Sequence, residues 1–214
     1  MTQNMLHQGR PILSKGALLD KAKAAMIMLH GRGASAEDIL SLAQEFEQPT
    51  FAYLAPQAAN QTWYPNRFIA PLASNEPWFS SAIATVAGLL AHVNTSGIPP
   101  ERTLLLGFSQ GACLALEFAA RHPQRYGGVI ALSGALIENG DKAREYTGSL
   151  ADTPIFLGCS DVDFHIPKQR VERSATVLQQ LGADVTMRLY PNMGHTVNQD
   201  EIDFIKQMTK AVVT

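Results

Sequence analysis

The chain has 214 residues, 46% of them apolar and 17% charged, and a formal charge of −2. This composition excludes a disordered, fibrous or repeat-built protein, and the length suits one domain, spanning 1–214, that buries about 70% of its unfolded surface. With no run of Lys or Arg, the electrostatic footprint of a nucleic-acid or anionic-membrane binder is missing, so neither partner is expected.

In chain order, Met1 to Arg10 is polar and lacks the apolar core of a secretion signal, and no later stretch is long enough for a membrane span. Six strand-length apolar runs follow: Ala25 to Leu29, Phe51 to Ala55, Thr103 to Leu106, Gly128 to Leu132, Pro154 to Leu157 and Val185 to Tyr190. Between or after them, Ala36 to Glu47, Pro77 to Val93, Gln110 to Arg121, Pro167 to Leu181 and Gln199 to Val213 carry helical periodicity. Gly182 reads as a helix stop, and Asn198 or Asp200 as a cap for the last helix. Strands apolar throughout and separated by helices predict a doubly wound, mostly parallel α/β sheet covered on both faces. Pro56 to Ser80 breaks the alternation. It holds Trp63, Tyr64, Phe68, Trp78 and Phe79 among four prolines, and reads as a long ordered loop that either anchors to the core or walls a pocket.

Only two cysteines occur, Cys113 and Cys159. They are too few for a disulfide framework and wrongly spaced for zinc, so a cytoplasmic location and the absence of metal or other cofactor are expected.

Chemistry concentrates after the third run, in Gly107-Phe108-Ser109-Gln110-Gly111. A serine on a sharp strand-to-helix turn needs flanking glycines where a Cβ would collide, and the new helix offers N–H groups and a positive dipole end beside the hydroxyl. A serine hydroxyl is a weak nucleophile and needs a base. Of six histidines, His195 lies between the last strand and the last helix, the slot that the order Ser, acid, His demands. His165 is its rival in a loop that would also have to hold the acid; His30 precedes the serine, His92 and His122 end helices, and His7 lies near a terminus expected to be mobile. The loop after Pro154 to Leu157 offers two acids, Asp161 and Asp163, between which spacing does not choose. For an oxyanion hole the backbone N–H groups of Gln110 and of Arg32, in His30-Gly31-Arg32-Gly33, are the candidates. The Arg32 side chain is expected in solvent or in a structural ion pair.

These segments, with Asp163-Phe164-His165-Ile166-Pro167 and Gly194-His195, resemble the phospholipase/carboxylesterase family of α/β-hydrolases, which includes acyl-protein thioesterases. The resemblance runs from about Ala25 to the end of the chain. It implies an α/β-hydrolase fold and a metal-free esterase with Ser109, Asp163 and His195 as catalytic residues, because the family's Asp-x-x-(Val/Ile)-Pro pattern falls on Asp163 and Pro167. Asp161 remains a second candidate. It further implies small or lipid-like ester or thioester substrates, with thioesterase or lysophospholipase activity as alternatives, and places Trp63 and Trp78 near the acyl site. Phe108, Phe164 and Met193 join them as candidate substrate contacts because they adjoin catalytic positions in the chain. A non-catalytic ligand-binding protein on the same scaffold is the rival from another class. The inter-strand segments leave no room for a lid domain, which predicts a shallow pocket covered by the Pro56 to Ser80 loop.

Overall fold

The computed structural model describes residues 6–46, 48–140, 142 and 144–213. In order these form β1 (Ile12–Gly16), β2 (Ala24–Leu29), α1 (Ala36–Ser41), β3 (Phe51–Pro56), α2 (Trp78–Thr95), β4 (Thr103–Phe108), α3 (Gln110–Arg121), β5 (Gly128–Leu132), β6 (Pro154–Ser160), α4 (Lys168–Gln180), β7 (Asp184–Tyr190) and α5 (Gln199–Val213). One sheet takes the strand order β1-β3-β2-β4-β5-β6-β7, parallel throughout except for the antiparallel pair of β1 and β3.

The expected doubly wound sheet therefore forms, and strand alternation shows how. In β2, Ala25, Ile27 and Leu29 face a core shared with α2, α3 and α4, whereas Ala24, Met26 and Met28 face a second core shared with α1 and α5. Successive side chains point to opposite faces, so a strand covered on both must be apolar at every position. The strand β1 escaped prediction because all five of its residues are exposed and its sequence, Ile-Leu-Ser-Lys-Gly, has no buried face to pattern. It exists through its ladder to β3, and Lys15 on this outer strand guards the sheet edge against further pairing.

The local signals explain the helix ends. At the start of α1, Ser35 Oγ accepts the Asp38 N–H (3.2 Å) and Asp38 Oδ2 accepts the Ser35 N–H (2.7 Å), a reciprocal cap. This helix is shorter than its periodicity predicts: it tightens into a 3₁₀ turn at Leu42–Gln44, and Glu47 lies outside the described residues. Gly182 adopts φ +78° just past α4, as a helix stop does. Of the two proposed caps for α5, Asn198 serves: its Oδ1 accepts the Glu201 N–H (2.9 Å), whereas Asp200 pairs with Arg188 (2.6 Å).

The Pro56 to Ser80 segment is ordered, with 3₁₀ turns at Ala59–Gln61 and Leu72–Asn75. Its end is helical rather than loop, because α2 already begins at Trp78. The expectation for His7 also fails. This side chain is buried: its Nδ1 accepts the Ala59 N–H (3.0 Å), its Nε2–H donates to the Trp63 carbonyl (3.0 Å), and its ring packs against both tryptophans. Burial lowers its pKa, which suits the neutral imidazole that this pattern requires. Among the described residues no helix is long and apolar enough to cross a membrane.

Candidate active site

The carboxyl ends of β4, β6 and β7 bring the chemistry-bearing loops together. Between β4 and α3 the chain turns at Ser109 with φ 55° and ψ −117°, a conformation in which non-glycine residues are strained by about 1–3 kcal/mol. Sterics at the flanks explain the glycines. A Cβ on Gly107 would lie 2.2 Å from the Gly111 backbone, and one on Gly111 would lie 2.1 Å from the Leu29 carbonyl oxygen. The turn is held by the Ser109 N–H donating to the Leu132 carbonyl (2.9 Å) and the Cys113 N–H donating to the Ser109 carbonyl (3.1 Å).

The serine hydroxyl lies 2.9 Å from His195 Nε2, and His195 Nδ1 lies 2.6 Å from Asp163 Oδ2. An ionised carboxylate only accepts hydrogen bonds, so Nδ1 carries the proton and Nε2 is free to accept from Ser109. Asp163 is nearly buried, and burial by itself raises a carboxyl pKa. The hydrogen bonds from His195 and from the His165 (2.8 Å) and Ile166 (3.1 Å) amides outweigh it, and the pKa falls below the ordinary value. Asp161 faces elsewhere: its Oδ1 accepts the Asn192 N–H (2.9 Å), bracing the turn that leads to His195.

The Gln110 amide opens α3 and has no acceptor within the helix. The Arg32 amide has no protein acceptor among the described residues. Both side chains clamp the loop after β3. Gln110 Oε1 accepts the Trp63 N–H (2.8 Å), and its Nε2 donates to the Tyr64 carbonyl (2.7 Å). Arg32 donates to the carbonyls of Pro65 (2.6 Å), Asn66 (2.7 Å) and Tyr64 (3.0 Å). Arg32 is thus exposed, as expected, but bound to neutral backbone acceptors rather than free or ion-paired. His30 is a buried brace: its Nδ1–H donates to the Gly31 carbonyl (2.8 Å) and its Nε2 accepts the Ala58 N–H (3.1 Å).

A cavity of about 380 Å³ opens over Ser109, with Tyr64, Phe68, Phe108 and Ile166 as its apolar lining. Across His195, Ile39, Leu42 and Val197 line a second hollow of about 310 Å³. Of the proposed substrate contacts, only Phe108 is on these walls. Trp63 is fully buried and donates Nε1–H to the His30 carbonyl (2.9 Å), and Trp78 packs on His7 behind it. Phe164 is 76% exposed outside the cavity, and Met193 accepts a contact from the Asn198 amide. The aromatic loop thus does both things expected of it, with tryptophans as anchors and Tyr64 to Phe68 as wall. Sequence reasoning passed over Asn66, Arg67, Ile166 and, as a wall residue, His165; of these, only the polarity of Asn66 and Arg67 within an otherwise aromatic loop was a usable signal. Among the described residues no three His, Cys, Asp or Glu side chains are grouped to hold a metal.

Beneath the His195 turn sits Glu201, fully buried in the first turn of α5. Its Oε2 accepts the Asn198 N–H (2.9 Å), while Oε1 has no partner among the described residues and presses on Gly158, where a Cβ would come within 2.1 Å. Burial pushes its pKa from 4.5 up to about 7. A folded-state pKa above the unfolded one contributes stability that is complete below pH 4.5 and lost as pH rises towards 7. Glu201→Gln should therefore gain on the wild type by on the order of 2–3 kcal/mol between about pH 4 and about pH 8. The difference between the variants is the readout, because buried His7 and His30, with lowered pKa values, impose the opposite trend on both proteins. Denaturant titrations whose difference stays constant across this range would refute the assignment.

Residues 16–213 match a family model described as phospholipase/carboxylesterase. A crystal structure of a phospholipase/carboxylesterase from Dyadobacter fermentans is 39% identical and superimposes with a TM-score of 0.89, covering 96% of this chain and 97% of that one. An acyl-protein thioesterase 1 of Candida albicans is 28% identical over 90% of this chain and 93% of its own length. Another of that name, from Gibberella zeae, is 34% identical over 52% of this chain, and the match spans about half (48%) of that protein.

Proposed function

The chain belongs to the phospholipase/carboxylesterase family of α/β-hydrolases and is an ester-hydrolysing enzyme, and from that premise we propose that Ser109, His195 and Asp163 are its catalytic residues. Ser109 Oγ attacks the ester carbonyl as His195 Nε2 takes its proton. Asp163 holds the imidazole in the right tautomer and stabilises the imidazolium. The Gln110 and Arg32 amides donate to the oxyanion. Collapse breaks the ester bond, the alcohol leaves with the proton from His195, and an acyl group stays on Ser109 until water, activated by the same imidazole, releases the acid. The two hollows on either side of His195 give room for the two halves of the ester.

The observation that carries this reading is the unbroken relay of 2.9 Å and 2.6 Å contacts ending on a strained serine. Small or lipid-like carboxylic esters are the proposed substrates. Thioesters are the second reading, favoured by the relatives named acyl-protein thioesterase. Intact-mass analysis after a fluorophosphonate probe should show a single adduct, absent from Ser109→Ala. Folded protein that takes no adduct, or a variant labelled as well as the wild type, overturns the mechanism. A chain-length series of matched esters and thioesters then ranks the two readings.

A further inference from the structure

The charged side chains lining the cavity over Ser109 are Arg32 and Arg67, and among the described residues no carboxylate joins them. The whole chain carries −2, so this local excess of cation is not inherited from composition. The two arginines play different parts. Arg32 spends its guanidinium on three backbone carbonyls, which fix it in place without cancelling its charge. Arg67, exposed on the loop that carries those carbonyls, forms no side-chain hydrogen bond among the described residues, where the ion-paired arginines are Arg121, Arg144, Arg170 and Arg188. His165 stands beside them, its amide held by Asp163 Oδ1 and its ring 4.8 Å from that of His195. The carboxylate of Asp163, behind His195, is already occupied by His195 and two amides, and that of Asp38, in the adjoining hollow, by Ser35.

An apolar floor under an unbalanced cationic rim is complementary to an amphipathic anion. We infer that this site selects esters carrying a carboxylate or phosphate group near the scissile bond, and that Arg67 is the specificity-determining residue that receives it. A free guanidinium presents paired N–H groups in the plane that a carboxylate or phosphate accepts, while the fixed Arg32 charge adds to the field without competing for contacts. Because Arg67 is exposed and screened by salt, its effect is about tenfold rather than thousands. The inference rests on the hydrolase reading above and narrows its substrate class.

Two pairs of substrates test it. In the first, an aryl pentanoate is compared with the monoaryl ester of glutaric acid, which puts a carboxylate on the acyl side. In the second, an acyl ester of a phosphorylated alcohol is compared with its phosphate-methylated neutral analogue. The anionic member of at least one pair should show about tenfold higher kcat/KM. That ratio should shrink at high salt, fall to near one in Arg67→Gln, and persist in Arg173→Gln, which removes the same charge from an exposed site on α4 outside this cavity. The pair that shows the preference identifies which half of the substrate bears the anion. Ratios near one in both pairs, or a preference that survives Arg67→Gln, overturn the inference. If neutral esters are still turned over in that case, the hydrolase reading stands; if no ester is turned over, both fall.

Discussion

Ser109→Ala is expected to lower kcat for a simple aryl ester by roughly 10⁶-fold without disturbing the fold. In the proposed mechanism the residual rate belongs to the Gln110 and Arg32 amides and to substrate positioning, which survive loss of the nucleophile. Stability measurements on a second variant separate chemistry from backbone. Alanine keeps the Cβ that makes φ 55° unfavourable. Glycine removes it, so Ser109→Gly should be about 1 kcal/mol more stable than Ser109→Ala and equally inactive. An alanine variant retaining a substantial fraction of wild-type kcat refutes the nucleophile. A glycine variant no more stable than alanine shows that the turn stores no strain.

The second large effect concerns the acid. Asp163→Asn should cost about 10⁴ in kcat, for a reason visible in its hydrogen bonds. Asp163 Oδ1 accepts the amides of His165 and Ile166, so an asparagine must keep its carbonyl oxygen there and turn its NH₂ towards His195. The imidazole is then forced to accept at Nδ1 and to carry its proton on Nε2, where it repels the Ser109 hydroxyl proton instead of receiving it. Asp161→Asn still offers an oxygen to the Asn192 amide and should change kcat only a few-fold. Matched unfolding midpoints for the two variants keep the comparison clean. If Asp161→Asn shows the larger loss, the acid has been misassigned.

The fold was largely legible because a two-faced sheet forces apolar residues at every position, and the runs at Ala25 to Leu29 and Gly128 to Leu132 carry that demand openly. The turn at Ser109 was legible for a related reason: contacts of 2.1–2.2 Å leave no residue but glycine at 107 and 111. Features set by partners rather than by intrinsic shape left no such trace. The strand β1 is defined by its ladder to β3, and the buried state of His7 by loop carbonyls and amides more than fifty residues away. The choice between Asp161 and Asp163 depends on which backbone N–H groups each meets, which spacing does not encode. Trp63, Trp78, Phe164 and Met193 show that aromatic character or adjacency in the chain is a poor guide to a cavity wall. Size and rigidity made the tryptophans suitable anchors behind the wall, and Phe164, largely exposed, packs its ring on that of His165 (centroids 4.0 Å apart) instead of lining the cavity itself.

The side chains of Gln110 and Arg32 together grip one five-residue stretch, Thr62 to Asn66, whose last three residues wall the cavity over Ser109. The cavity wall and the two residues whose amides are proposed to bind the oxyanion are consequently tied together by hydrogen bonds. Wholesale loop grafting, a usual route to new selectivity, would release the grip and degrade turnover together with recognition. Reprogramming this scaffold is better done one side chain at a time, at Arg67 and Phe68, which border the cavity beyond the last carbonyl held in the grip.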